Sequence, residues 1–95
     1  MVDDLTDVIF RKFNDGEVIA LFPGMAGDHN PYHTCGSYMH TGQHGSAGLS
    51  ITKSTKLATK TEYSGLENEL WGLGYQLRVV KRFTKKHLEQ RKGRT

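Results

Sequence analysis

Asn14-Asp15-Gly16, set between two apolar runs, constrains this chain more than any other stretch. It is a tight-turn signal, in which the glycine supplies the positive φ that a hairpin demands. Before it, residues 8–13 (Val-Ile-Phe-Arg-Lys-Phe) are rich in branched and aromatic side chains, which suit a pleated strand. After it, residues 17–22 (Glu-Val-Ile-Ala-Leu-Phe) form a nearly continuous apolar run, the pattern of a central strand covered on both faces. Pro23-Gly24 predicts a type II turn that ends the second strand. A chain that opens this way must cover two sheet faces, and its 95 residues give one domain in which to do so. A domain of that size buries only about 60–65% of its unfolded surface, so the core is thin.

Further along, a loop of about a dozen residues contains the turn signal Asn30-Pro31, and a loop that long in a compact domain is functional or mobile. Residues 37–41 read as a third strand, 42–45 as a hairpin connection and 47–52 as a fourth strand, with Leu49 and Ile51 alternating against polar neighbours. Thr59-Lys60-Thr61-Glu62 is a capping-box sequence, and Tyr63, Leu66, Leu70 and Leu73 follow at helical spacing. Gly74 stands where a left-handed C-terminal cap is wanted, and Trp71 falls off the apolar stripe. Residues 75–83 read as a fifth strand, and the strand–helix–strand succession predicts that it runs parallel to the fourth. It can then still pair antiparallel with the first or third strand. Thr84 can cap a short helix through Lys86, Leu88 and Gln90. These readings add up to an α+β fold: an antiparallel-dominated sheet of about five strands with one helix packed on one face, in the order ββββαβ. Residues 1–83 form the domain, and residues 84–95 form a basic tail, either a short helix or disordered.

The charge is uneven. Residues 1–52 hold two basic and six acidic side chains and residues 53–95 hold eleven basic and four acidic, for net charges of −4 and +7. Such separation suits a phosphate-bearing or acidic partner. No apolar run approaches the roughly 20 residues that span a bilayer, so no membrane partner is expected. The acidic N-terminus lacks the basic and apolar stretches of a secretory signal, and a lone Cys35 excludes an internal disulfide. Both features fit the cytoplasm.

Four of the five histidines (His29, His33, His40, His44) and Cys35 fall within residues 28–48. These are ligands a tetrahedral zinc site can use, with His40, His44 and Cys35 as the set, although no C-x2-C knuckle is present. Cys35 beside His33 or His40 is alternatively a nucleophile–base pair. Strand alternation leads elsewhere. If Met39, Leu49 and Ile51 face the helix, Tyr38 and His40 lie on the opposite, open face with Arg78. A binding surface of Tyr38, His40, Gln43, His44, Arg78 and Arg82 follows, able to stack bases and meet phosphates.

Two stretches, Ser37-Tyr38-Met39-His40-Thr41-Gly42-Gln43-His44-Gly45-Ser46-Ala47 and Leu77-Arg78-Val79-Val80-Lys81-Arg82 with the helix before it, resemble a family of small uncharacterised bacterial proteins. The resemblance implies a stand-alone bacterial domain, of the sort mobile elements carry, and transfers no catalytic or binding residues. The leading expectation is a non-enzymatic binding module with nucleic acid or protein as partner and no cofactor. The alternatives are a small metal-dependent or Cys/His enzyme centred on Cys35, His40 and His44, and a domain that forms a homodimer through its sheet.

Overall fold

The computed structural model describes residues 5–27, 30, 32–39 and 43–92, with Gln43 described by its backbone alone. Strands β1 (Thr6–Lys12) and β2 (Val18–Ala26) form the opening hairpin, with Ile9 opposite Leu21 and Lys12 opposite Val18. Gly16 closes it at φ 95°, a value a side chain would oppose. The run in β2 is covered on both sides: Ala20 and Phe22 turn to one face, Ile19 and Leu21 to the other. Pro23-Gly24 does not end this strand. β2 continues to Ala26 through a bulge whose register shifts between Phe22 and Ala26, because proline has no N–H for the ladder and can be absorbed only at an irregularity.

β3 (Thr34–Met39) and β4 (Gln43–Gly48) extend the sheet antiparallel, with Tyr38 opposite His44. The third and fourth strands thus lie earlier than expected, and residues 51–54 form a single helical turn, α1 (Ile51–Ser54). A two-residue strand, β5 (Lys56–Leu57), then pairs antiparallel with the far edge of β1. α2 (Lys60–Gly72) carries the capping box: the Glu62 N–H donates to Thr59 Oγ1 (3.3 Å) and the Thr59 N–H donates to Glu62 Oε1 (2.8 Å). Past its end, Gly74 takes φ 105°.

The last strand, β6 (Leu77–Val79), pairs parallel with β1 on the same edge as β5. Its direction is therefore opposite to that of β4, contrary to the crossover expectation. The two-residue β5 moves the chain to the outer edge of β1 before α2 begins, so α2 links two strands on that edge. α3 (Lys85–Arg91) closes the described chain, capped by Thr84.

The sheet order is β4-β3-β2-β1, with β5 and β6 along the outer side of β1. Leu66 and Leu70 of α2 cover a first face made of Val8, Phe10, Ala20, Phe22 and Tyr38. On the second face Ile9, Ile19, Leu21, Cys35 and Ala47 are covered by Leu49, Ile51, Val80 and Phe83. α3 packs beside them: Arg91 Nη1 donates to the Pro23 carbonyl (2.7 Å), and its guanidinium lies over the Phe83 ring. Both His87 and Arg91 are buried, so this basic segment is built into the second layer. Among the described residues no helix is long and apolar enough to cross a membrane.

Candidate functional site

The expected open face is not open. Tyr38 retains only 1% of its exposure and points under α2, where its hydroxyl donates to Glu69. Met39, Leu49 and Ile51 do share a face, although Leu49 lies in the turn after β4 and Ile51 opens α1, so strand alternation places only Met39 there. That face is the second one, however, and the pleat therefore sends Tyr38 towards the helix. His44, directly across from Tyr38, remains exposed. Its ring stands edge-on to Tyr38 (centroids 4.6 Å apart) and its Nε2 is 3.0 Å from the Tyr75 hydroxyl. Tyr75 in turn stacks on Phe22, and a shallow cleft lined by His44, Leu73, Gly74 and Tyr75 opens beside them. Leu73, expected in the inward stripe, is exposed because α2 ends before it.

Of the proposed metal ligands, Cys35 and His44 do not converge. Cys35 belongs to the second face and His44 to the first, so the sheet separates them. His29 and His40 lie outside the described residues, as do Pro31, Thr41 and Gly42; His33 is exposed in the turn before β3. Among the described residues no three His, Cys, Asp or Glu side chains group to hold an ion. Nor is Cys35 set up as a nucleophile. Burial pushes its thiol up to about 11, against a smaller downward pull from Arg91, so at neutral pH it is a packed, uncharged group.

Arg78, expected to meet phosphate, is tied down instead. Its Nε donates to Asp7 Oδ1 (2.7 Å), and His87 Nε2 reaches Asp7 Oδ2 (2.7 Å). The Thr84 N–H donates to His87 Nδ1 (3.1 Å), which fixes the tautomer: Nδ1 must be bare, and Nε2 carries the proton given to Asp7. One carboxylate thus joins β1, β6 and α3. Burial raises the Asp7 carboxyl, but the hydrogen bonds from His87 and Arg78 and the charge of Arg78 outweigh it and hold it below its ordinary 3.8. Because the folded value is depressed, this stabilisation is complete above the unfolded value and is lost as pH falls through the folded one. Asp7→Asn is expected to cost about 2 kcal/mol at neutral pH, since hydrogen bonds to a charged group are lost or weakened. It should also flatten the acid limb. Urea midpoints from about pH 6 down to about pH 3 check this, and parallel curves for both proteins would contradict it.

What remains free is the basic surface along the outer edge of β1. β5 and β6 approach this edge from opposite ends, and Phe10 lies between their meeting points: the Ala58 N–H donates to the Phe10 carbonyl and the Val80 N–H to the Val8 carbonyl. The gap is a cleft of about 330 Å³ with Phe10, Tyr63, Leu57 and Val79 in its walls and Lys60 and Lys81 at its rim. A second hollow of about 240 Å³ is lined by Ile9, Arg11, Thr52, Lys81, Arg82 and Phe83. Lys81 belongs to both. Arg11 is held in place there, its guanidinium donating to Thr55 Oγ1 (2.7 Å), the Thr55 carbonyl (2.6 Å) and the Thr52 carbonyl (3.0 Å) at the end of α1.

The acids nearby are already engaged, Glu62 with Lys12 and Glu67 with Lys60. Lys53, Lys56, Lys81, Arg82, Lys85 and Lys86 are all exposed, and among the described residues none of them has a carboxylate within ion-pair distance. Among the described residues expected at a binding surface, Arg82 alone falls at this cleft pair. Arg11 and Lys81 were missed. The signal for Lys81 was its adjacency to Arg82, whereas nothing local marks Arg11, whose side-chain hydrogen-bond partners, Thr52 and Thr55, are more than forty residues away in the chain.

Comparisons with protein-family models, with curated proteins and with solved structures give no match.

Proposed function

We propose that this chain is a non-enzymatic, cytoplasmic nucleic-acid-binding module that takes hold of the phosphate backbone through the outer edge of β1. One observation carries the reading. Lys81, which lines both clefts, and its neighbour Arg82, which lines the smaller one, have no carboxylate partner among the described residues. Uncompensated cations raise the local potential, and that cost is recovered when a polyanion releases its counterions on binding. Lys85 and Lys86 on α3, Lys53 on α1 and Lys56 on β5 are further exposed cations without a carboxylate partner among the described residues. An acidic protein would satisfy the charge as well, but the recessed apolar cleft beside Lys81 suits a flat ring attached to a phosphate better than a carboxylate side chain.

Fluorescence anisotropy with a labelled oligonucleotide tests the reading. Affinity is expected to fall with salt, and Lys81→Ala with Arg82→Ala should weaken binding roughly tenfold or more while lowering the logarithmic salt slope by about 2, one counterion per lost phosphate contact. Both side chains are exposed, so the thermal melt should not move. An unchanged affinity in the folded double variant would overturn the proposal, as would equal binding of a polyglutamate of the same charge.

A further inference from the structure

We infer that the larger cleft holds an unpaired nucleobase, so that the ligand is single-stranded. The inference rests on the nucleic-acid reading and deepens it.

The cleft exists because two short strands share one edge. β5 has two residues and β6 three, and between them the edge of β1 is spanned only by Ala58 and Val80. A continuous edge strand would have filled this space. Its walls leave apolar surface in water: Leu57 is 43% exposed and Val79 is 40% exposed. Tyr63 stands behind them, stacked on Phe10 with centroids 4.3 Å apart and planes at 10°, which fixes the back wall. Charge is confined to the rim. Lys60 is bonded to Glu67, so Lys81 is the rim cation left to act on a ligand.

A nucleotide presents a flat, largely apolar base joined through a sugar to a phosphate, and this arrangement matches the cleft pair. With the base in the larger cleft, its phosphate comes to Lys81 and the Arg11–Arg82 hollow on the other side. A base paired inside a duplex cannot reach a recess of this kind, because its faces are occupied by stacking and its edge by its partner. Burial of Leu57 and Val79 against the base also adds a component of affinity that salt does not screen.

Three labelled probes of about twelve nucleotides separate the possibilities, a length within the range one small domain covers. They are oligothymidylate, an abasic strand of equal length, and a hairpin duplex. Oligothymidylate is expected to bind roughly tenfold tighter than the abasic strand, the effect of one seated base. Leu57→Ser with Val79→Thr, which keeps the β-branch and hence the strand, should reduce oligothymidylate to the abasic level and leave abasic binding unchanged. Equal affinity for the base-bearing and abasic strands would overturn this inference while leaving backbone binding standing, and a preference for the duplex would do the same. Failure of all three probes to bind would overturn both readings.

Discussion

A chain ending at Phe83 is expected to lose cooperative unfolding, rather than to behave as the same domain without a tail. α3 buries His87 and Arg91, and both make bonds that nothing else replaces. Without α3, Asp7 keeps only its bond to Arg78 and the Pro23 carbonyl loses the Arg91 guanidinium. Hydrogen bonds to charged groups contribute about 1.5–3 kcal/mol each. Exposure of the second face around Cys35 and Leu21 adds to their loss. The sum is comparable with the lower end of the roughly 5–15 kcal/mol that holds a domain of this kind together. Urea unfolding followed by circular dichroism should show a broad, shallow change for the truncated chain and a sigmoid for the full one. A truncated chain with an unchanged midpoint would mean that α3 is dispensable. Arg91→Ala gives a graded version, expected to shift the midpoint in the same direction by a smaller amount.

Tyr38→Ala is expected to cost about 3–5 kcal/mol, the range for removing a large buried side chain and leaving a cavity. The position decides which face of the sheet is covered by α2. Tyr38 packs with Phe10, Phe22, Leu66 and Leu70, and its hydroxyl is held by Glu69. On an open face the same substitution would cost within about 0.5 kcal/mol, as surface changes do. His44→Ala is the internal control: it removes an exposed ring and one bond to Tyr75 and should cost about 1 kcal/mol or less. Equal effects at the two positions, read from chemical denaturation, would overturn the assigned pleat.

The opening hairpin, the capping box of α2, the left-handed Gly74 and the short helix after Thr84 are all legible in the sequence. Each depends on residues within a few positions of one another: a glycine that alone tolerates positive φ, a threonine hydroxyl in reach of an N–H three residues on. β5 was not legible, because two residues carry no period. The parallel pairing of β6 followed from β5 and was missed with it. Lys81 and Arg82 were visible as basic residues, but the hollow they line requires Arg11 and Thr52, which come from the first strand and from α1.

The stretch around Tyr38 shows where the boundary falls. Alternation along a strand determines which residues share a face, and it correctly set Met39 against Tyr38 in β3. It does not determine which of the two faces receives the helix, because a period of two is unchanged when the faces are exchanged. Packing settled the choice. α2 lies where Phe10, Phe22 and Tyr38 offer large rings to Leu66 and Leu70, while the second face is closed by Phe83 and the elements around it. The same packing placed Cys35 and His44 on opposite sides of the sheet and left the basic edge of β1 open. The sequence by itself determined the local elements and the parity of each strand, whereas the distribution of its chemistry between buried faces and free surface was decided by tertiary structure, since that depends on residues far apart in the chain.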